Sequence, residues 1–235
     1  IEKLYVYPWY SSSMMGLIAA SKNHSILSYD IQHGVQGSHQ AMYTHWFNVP
    51  KNGYEMIPTN FLVWNNITKK FHKKNNSSYF KKFHKSFLNK KIKFLQRKEK
   101  IKKNKIKTVL YCVQPKTLSN NETVPKFLEK FIKRKANNYL KFIIRVHPQF
   151  KKDVNIIRSL FKNEIKKNYL SIDDAKFSIY NTFENVSHCL SGFSTTSVEA
   201  SLYGVKSAVF GEDARNILGE YINKNKLLLI DKSET

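Results

Sequence analysis

Residues 187–210 read SHCLSGFSTTSVEASLYGVKSAVF, and this stretch decides the fold. The apolar segment 187–190 is typical of a buried strand, and a loop of small and hydroxyl residues follows it. A helix is predicted at about 196–203 and ends at Gly204, before a second strand at 207–210. A strand, a helix and another strand in such close succession predict a βαβ unit and therefore a parallel sheet.

The same alternation of strands and helices extends along the rest of the chain. Further strands are predicted at residues 3–7, 25–31, 61–64, 108–113, 141–146 and 177–180. Further helices are predicted at 14–21 after a cap at 11–13, after Pro125, and after a cap at Asp153. Several strands are apolar on both faces, so the predicted fold class is α/β, with helices covering both sides of parallel sheets.

The formal net charge of +23 is concentrated in one segment. Residues 66–107 contain 17 Lys and Arg against a single acid, Glu99, with phenylalanines interleaved partly at helical spacing. This pattern predicts a basic amphipathic arm that attracts an anionic membrane face, nucleic acid or a phosphate-bearing substrate. The alternative interpretation is a solvated lysine-rich insertion.

The two cysteines and the apolar runs exclude several classes of protein. Cys112 and Cys189 lie inside apolar runs without CxxC spacing, so neither a zinc site nor a disulfide framework is indicated. No apolar run reaches the ~18 residues of a membrane span, and no signal-peptide pattern follows Ile1. We therefore expect a reduced, cytoplasmic protein, and the strand-like first residues suggest that the chain begins inside a longer one.

Three motifs follow predicted strands directly, where ligands of parallel sheets bind. In the loop Ser191-Gly192-Phe193-Ser194-Thr195-Thr196, hydroxyl residues open a helix. Free backbone N–H groups and the helix dipole attract an anion at such a position, and the hydroxyls add hydrogen-bond donors. The loop is therefore a candidate phosphate site, although ordinary N-capping is the simpler explanation of the same residues.

The other two motifs each place a histidine at the end of a strand. His147-Pro148 ends an apolar strand, and in a parallel sheet His147 faces the same crevice as Ser194. Gln32-His33-Gly34 follows the strand ending at Ile31, and an imidazole has a suitable pKa to take a proton from an attacking hydroxyl. For both histidines a purely structural role is the alternative interpretation.

Further positive and negative signals narrow the chemistry. Glu199 lies about one turn into the helix after the phosphate loop, where it accepts from ribose hydroxyls or is simply a surface residue. The sequence contains no Asp-x-Asp, so a metal-independent mechanism is expected, without a cofactor. It also contains no GxxxxGK[ST] and no GxGxxG, which argues against simple NTPases and dinucleotide-binding enzymes.

In this order the motifs resemble those of bacterial GT-B-type polymer transferases, which include teichoic-acid glycerophosphate transferases and capsular sialyl- and Kdo-type transferases. Gln32-His33-Gly34 stands where teichoic-type members have Trp-His-Gly, which makes His33 the candidate base. His147-Pro148 is similar to the family's His-Pro, which contacts the donor phosphate. The segment 191–195 resembles its Thr-Asp-Tyr-Ser-Ser, with Gly192 in place of the acid.

The resemblance implies a GT-B-like architecture of two Rossmann-like lobes. Residues 1–65 are then the C-terminal part of the acceptor lobe, 66–107 a basic linker, and 108–235 the donor lobe that binds a nucleotide-sugar. The expected contacts of the sugar donor are grouped at the following positions: His147, Pro148, Ser191, Gly192, Ser194, Thr195, Thr196 and Glu199. Similarity to sialyltransferases that use CMP-sugars favours a cytidine nucleotide.

The function expected from the sequence is transfer of a sugar or polyol phosphate from a nucleotide-activated donor to a capsule, lipopolysaccharide or teichoic-type glycan. His33 would deprotonate the acceptor, a glycan or a lipid-linked glycan, and His147 would stabilise the leaving phosphate. The expected location is the inner face of the plasma membrane, with no nucleic-acid partner. A GT-B-like sugar-nucleotide epimerase is the alternative enzyme, and a basic nucleic-acid-binding protein is the non-enzyme alternative.

Overall fold

The structure is a computed structural model that describes residues 1–37, 39–43, 50–51, 53–75, 83–85, 106–114 and 122–230. The chain divides into two compact units, Ile1–Leu95 and Gln96–Thr235. Each unit contains one parallel β-sheet with its own hydrophobic core. The α/β class and the parallel sheets predicted from the sequence are confirmed.

The first unit is a four-stranded parallel sheet in the order β1-β2-β3-β4. Its elements are β1 (Lys3–Val6), α1 (Ser12–Asn23), β2 (Leu27–Ile31), a 3-10 helix (Ala41–Tyr43), β3 (Asn60–Val63), α2 (Asn66–Asn75) and β4 (Phe83–Lys85). The Ser11 side chain caps α1 by accepting from the Met14 N–H, as the serine run predicts. Strands 1 to 3 therefore follow the predicted βαβ pattern closely.

The core of the first unit lies on one face of this sheet. Val6 and Val63 from the strands pack with Ile18 from α1 and with the aromatic residues Trp9 and Tyr43. Each fully buried apolar side chain of this kind contributes roughly 1.5–3 kcal/mol to stability. The core thus positions the carboxyl ends of β1 and β2 together with the polar residues that follow them.

The second unit is a six-stranded parallel sheet in the order β10-β9-β8-β5-β6-β7. Its strands are β5 (Lys107–Cys112), β6 (Leu140–Arg145), β7 (Leu170–Asp173), β8 (His188–Ser191), β9 (Lys206–Phe210) and β10 (Leu228–Ile230). Its helices are α3 (Lys126–Lys135), α4 (Asp153–Leu160), α5 (Lys162–Lys166), α6 (Ile179–Phe183), α7 (Thr195–Tyr203) and α8 (Glu212–Ile222). The central strands β8, β5 and β6 carry the site described below.

Helices α3 and α4 bury apolar residues against the central strands of this sheet. Leu128 and Ile132 lie four residues apart on one face of α3, and Ile157 lies on the buried face of α4. They pack with Phe142 and Ile144, which point to the same side of β6 because alternate residues of a strand share a face. Phe131, predicted on the apolar face of α3, is 45% exposed.

Residues 187–210 have the predicted structure almost residue for residue. Helix α7 begins after Ser194, whose side chain caps it, and ends at Gly204. Gly204 has φ +101°, a left-handed conformation that glycine adopts without the steric cost of a Cβ atom. This tight end returns the chain to β9 after a single residue.

Two details predicted from the sequence are wrong. Residues 177–180 do not form a strand. The outermost strand on this side of the sheet is β7, Leu170–Asp173, and α6 begins at Ile179. The Phe177 carbonyl accepts from the Arg145 guanidinium at 2.8 Å, a side-chain partner in place of a strand neighbour. Asp153 is the first residue of α4 rather than its cap, and Lys152, which occupies the N-cap position, makes no side-chain capping hydrogen bond.

The basic arm 66–107 is described only in part. Its first residues form the predicted helix, α2, and β4 pairs with β3 in the first sheet. Residues 76–82 and 86–105 lie outside the described residues, so the amphipathic character of the remaining arm and its role as a linker stay predictions. The proposed domain boundaries at 65 and 107 likewise stay predictions.

Candidate functional site

Three neighbouring strands of the second sheet end at the same edge, and each is followed by a polar residue. Strands β8 and β6 flank β5, with Tyr111 of β5 paired to Leu190 of β8. The chain leaves β8 at residue 191, β5 through Gln114, and β6 through His147. The predicted phosphate loop and His147 therefore lie at one sheet edge, separated by the width of a single strand.

The loop 191–196 presents hydrogen-bond donors at the start of α7. The Ser194 hydroxyl accepts from the Thr196 N–H (3.2 Å) and donates to the Thr196 hydroxyl (3.0 Å). Within the described part of the chain, the backbone N–H groups of Ser194 and Thr195 donate no hydrogen bond. Unpaired N–H groups at the positive end of a nine-residue helix attract an anion.

Ser191, which the sequence places among the donor contacts, points into the protein. Its side chain is fully buried, and its hydroxyl lies 2.7 Å from the hydroxyl of Ser197, which is also fully buried. The Ser197 hydroxyl in turn contacts the Cys189 sulfur at 3.8 Å. These bonds fix where β8 ends and α7 begins, so Ser191 sets the position of the loop.

Gln114 is a residue of this edge that the sequence analysis missed. It is 7% exposed, and its Oε1 accepts from the Phe193 N–H at 2.8 Å. A Cβ atom at position 192 would lie 3.3 Å from the same oxygen, so Gly192 gives Gln114 room to reach the loop. The available signal was its place directly after an apolar strand, the criterion that selected His147.

His147 presents one ring nitrogen for binding. Its Nδ1 accepts from the Gln149 N–H at 3.3 Å, which in the neutral ring places the proton on Nε2. Burial lowers the pKa of His147 below its usual value, so the ring is neutral at pH 7. Pro148 is exposed and the Phe150 ring packs 5.4 Å from the imidazole, so the turn holds His147 as an Nε2–H donor.

Glu199 is not a freely solvated surface residue. It is largely buried in α7, and the Tyr180 hydroxyl donates to its Oε2 at 3.1 Å. Burial raises the pKa of Glu199, and the hydrogen bond from Tyr180 partly opposes that shift. Tyr180 packs against Phe183 and Tyr203, so Glu199 is held at a fixed position one turn after the phosphate loop.

In the first unit, His33 follows β2 within an aromatic cluster. Its Nε2 lies 3.2 Å from the Tyr10 hydroxyl, and Tyr7 makes an edge contact with the ring at 4.8 Å between centroids. Burial lowers the pKa of His33, with the Ile31 carbonyl opposing the shift. A neutral imidazole beside a hydroxyl can act as a general base in the tautomer that leaves Nε2 unprotonated.

The neighbours of His33 in the motif hold the turn together. The buried Gln32 side chain accepts from the Trp64 backbone N–H at 2.7 Å and donates to the Gly34 carbonyl at 2.8 Å. The Trp64 indole also donates to the Gln32 carbonyl at 2.8 Å. Gln32 thus joins the end of β2 to the end of β3 and fixes the backbone that carries His33.

A buried acid in β2, three residues before His33, was also missed. Asp30 is 1% exposed and accepts from the Tyr43 hydroxyl at 2.9 Å and from the Trp9 N–H at 3.3 Å. Burial raises the pKa of Asp30 to about 7 despite these bonds. Burial also lowers the pKa of His72, which contacts the Tyr43 carbonyl through Nδ1, to about 4.

The described residues also bear on metal sites, membrane spans and thiol chemistry. The described residues contain no group of three or more His, Cys, Asp or Glu side chains placed to hold a metal ion. No helix in the described ranges is both long and apolar enough to cross a membrane. Cys112 and Cys189 are buried free thiols, and contact with Cys189 together with burial raises the pKa of Cys112.

The sequence matches no protein-family model and no curated protein sequence. Solved structures, however, share the fold. The UDP-GlcNAc 2-epimerase of Methanocaldococcus jannaschii, in complex with UDP-GlcNAc and UDP, has a TM-score of 0.59 at 12% identity, over 98% of this chain and 65% of that one. Another UDP-N-acetylglucosamine 2-epimerase has a TM-score of 0.58 at 11% identity, over 97% and 59%.

The wall teichoic acid polymerase TagF, soaked with CDPG, has a TM-score of 0.50 at 7% identity, over 80% of this chain. The chain spans about half the length of that polymerase, 49%, and about two thirds of the M. jannaschii epimerase. These neighbours are enzymes of the GT-B fold, so the GT-B-like architecture expected from the motifs is confirmed. At such identities the comparison shows the fold alone.

Proposed function

We propose that this chain belongs to a glycosyltransferase that moves a sugar or a polyol phosphate from a nucleotide-activated donor to a cell-surface glycan. One observation carries the proposal: hydrogen-bond donors that suit a diphosphate lie at one edge of the second sheet. They are the N–H groups of Ser194 and Thr195 and the Nε2–H of His147. The acceptor would be a capsule, lipopolysaccharide or teichoic-type chain.

The site suits a nucleoside diphosphate because a phosphate oxygen only accepts hydrogen bonds, whereas these groups only donate. The start of α7 supplies backbone donors and the helix dipole, and His147 approaches from two strands away. Glu199, which Tyr180 holds by a hydrogen bond, would accept from the ribose hydroxyls. A cytidine nucleotide is the proposed donor class, in keeping with the CDPG soaked into the polymerase, and no metal is needed in this scheme.

His33 is the proposed general base. In the reaction its Nε2 takes the proton of the acceptor hydroxyl while the acceptor oxygen bonds to the transferred group. The bond from that group to the nucleotide phosphate breaks, and its electron pair stays on the phosphate oxygen, where the donors of the second unit stabilise it. Because Tyr10 contacts the same nitrogen, the acceptor hydroxyl must replace Tyr10 at His33.

Four alanine variants of the intact protein test this assignment. We expect His147→Ala and Ser194→Ala to reduce transfer from a labelled nucleotide-sugar and to weaken binding of the donor. His24→Ala and Ser171→Ala are matched controls because both side chains are exposed and distant from the sheet edge in sequence. If His147→Ala and Ser194→Ala leave both the donor affinity and the transfer rate unchanged, the assignment of the phosphate site is refuted.

A second candidate function is epimerisation of a sugar nucleotide, favoured by the epimerase structures that cover nearly the whole chain. Such an enzyme uses the same phosphate-binding unit but needs no separate acceptor. Product analysis with a labelled sugar nucleotide, with and without a glycan acceptor, separates the two functions. A labelled glycan supports transfer, and an epimerised sugar nucleotide formed without acceptor supports epimerisation.

The basic arm is proposed to hold the enzyme at the inner face of the plasma membrane. Helix α2 contributes four lysines in ten residues, and each lysine near an anionic surface adds about 1 kcal/mol of attraction. Substituting Lys69 and Lys70 by glutamine should therefore reduce co-sedimentation with phosphatidylglycerol vesicles. If the wild-type protein binds a DNA oligonucleotide but no vesicles, and the two substitutions weaken binding of the oligonucleotide, the nucleic-acid-binding alternative is favoured.

A further inference from the structure

The buried amide of Gln114 has one side occupied and one side open. Its Oε1 accepts from the Phe193 N–H at 2.8 Å, and that N–H requires an acceptor, which fixes the orientation of the amide. The amino group, Nε2, therefore faces away from the Phe193 N–H. Among the described residues Nε2 donates to no partner. The Gln114 residue as a whole is only 7% exposed.

The described side-chain atoms that are fully buried without a partner do not include Gln114 Nε2, so this donor group is open to solvent and available to a ligand at the sheet edge. The amide lies against the backbone of Gly192 and Phe193, immediately before the residue that caps α7. It therefore belongs to the same edge as the backbone donors of Ser194 and Thr195. This open donor group is independent of the helix dipole and suits a ligand that accepts hydrogen bonds.

We propose that Gln114 Nε2 donates to a phosphate oxygen of the nucleoside diphosphate at the start of α7, and so acts as a binding residue of the donor site. The proposal rests on the proposed function and adds a contact from β5, the strand between the loop and His147. It also accounts for Gly192, since a Cβ there would lie 3.3 Å from Gln114 Oε1 and displace the amide.

The sharpest test is Gln114→Glu, which is nearly isosteric with the native side chain. One carboxylate oxygen still accepts from the Phe193 N–H, so the fold of the loop is retained. The other oxygen replaces a donor with a negatively charged acceptor facing the phosphate. We expect UDP and CDP to bind at least about tenfold more weakly, since a hydrogen bond to a charged group is lost.

Asn155→Asp is the matched control, because it makes the same change of amide to acid at an exposed position of α4 in the same unit. Isothermal titration calorimetry of the intact protein with UDP, CDP and the corresponding nucleosides measures the effect. Thermal unfolding shows whether each variant is folded. The proposal predicts a loss specific to the diphosphates in Gln114→Glu, with Asn155→Asp unchanged.

The other outcomes are distinct. If wild type binds UDP or CDP and Gln114→Glu binds it equally well, the role of Gln114 is refuted and the proposed function stands. An equal loss in both variants would show a general charge effect and would also refute the role of Gln114. Wild type that binds neither nucleotide would overturn both this inference and the proposed function. If Gln114→Glu fails to fold, Gln114→Met serves instead, with the same tenfold loss expected.

Discussion

Removal of the His147 imidazole should weaken binding of the sugar donor without disturbing the fold. The neutral ring offers one Nε2–H to an ionised phosphate, and such a hydrogen bond contributes roughly 1.5–3 kcal/mol. At about 1.4 kcal/mol per tenfold, His147→Ala should raise the dissociation constant roughly 10- to 150-fold. Stability should fall by only about 1 kcal/mol, because the ring is partly exposed and its contacts are the Phe150 ring and the Gln149 N–H.

The pH dependence of binding gives a second, independent readout of the same variant. Since burial lowers the pKa of His147, the ring gains its positive charge only at acidic pH. An anion binds the charged ring better, so wild-type affinity should rise as the pH falls below about 6.5. In His147→Ala this rise should be absent, whereas the exposed His24→Ala should retain it.

Calorimetry between pH 5.5 and 8 measures both effects, with a sugar nucleotide whose phosphates are both esterified so that the ligand itself does not titrate there. The nucleotide is chosen first by thermal shift with CMP, CDP, UDP and GDP derivatives. An affinity within twofold of wild type, with the acidic rise intact, would refute the role given to His147.

Two further predictions concern stability. Burial raises the pKa of Asp30 from 3.8 to about 7, so the folded state holds this proton more tightly than the unfolded state does. The unfolding free energy of the wild type should therefore fall by on the order of 4 kcal/mol as the pH rises from about 4 to 7. Asp30→Asn should lack that fall in urea titrations, and parallel pH profiles would contradict the assignment. Gly16→Ala, at an exposed position of α1, should stabilise by up to about 1 kcal/mol, whereas Gly204→Ala, at φ +101°, should destabilise by about 1–2 kcal/mol. The same sign for both glycine variants in urea unfolding would contradict this reasoning.

Local sequence signals were sufficient where each one governs a single element. Alternating apolar segments and hydroxyl caps predicted most strands and helices of both units, and Gly204 marked the end of α7. The edge strand β7 escaped because its four residues, LSID, show too short an alternation, with Ser171 exposed and Asp173 polar. Helix α6 depends on tertiary contacts, chiefly buried Phe183, which no local pattern reveals.

In the candidate site, too, local signals identified some residues and missed those that depend on tertiary contacts. Position after a strand identified His147 and the hydroxyl loop, since the topology of a parallel sheet brings such residues to one edge. The contact of Gln114 with Phe193 joins residues 79 positions apart, and the burial of Asp30 depends on Tyr43, which ends a short 3-10 helix in a segment without a regular sequence pattern. Side-chain direction also escaped, as with Ser191, which stands in the motif but faces the core.

The central claim is that the start of α7 binds the diphosphate of a sugar nucleotide. Titration of the 15N-labelled intact protein with UDP and CDP, followed by amide chemical shifts, tests this directly. We expect saturable shifts that are largest at the N–H groups of Ser194 and Thr195, with His147 Nε2 and the Gln114 side-chain amide also responding. Saturable binding that leaves these four groups unchanged, or no binding at all, would contradict it.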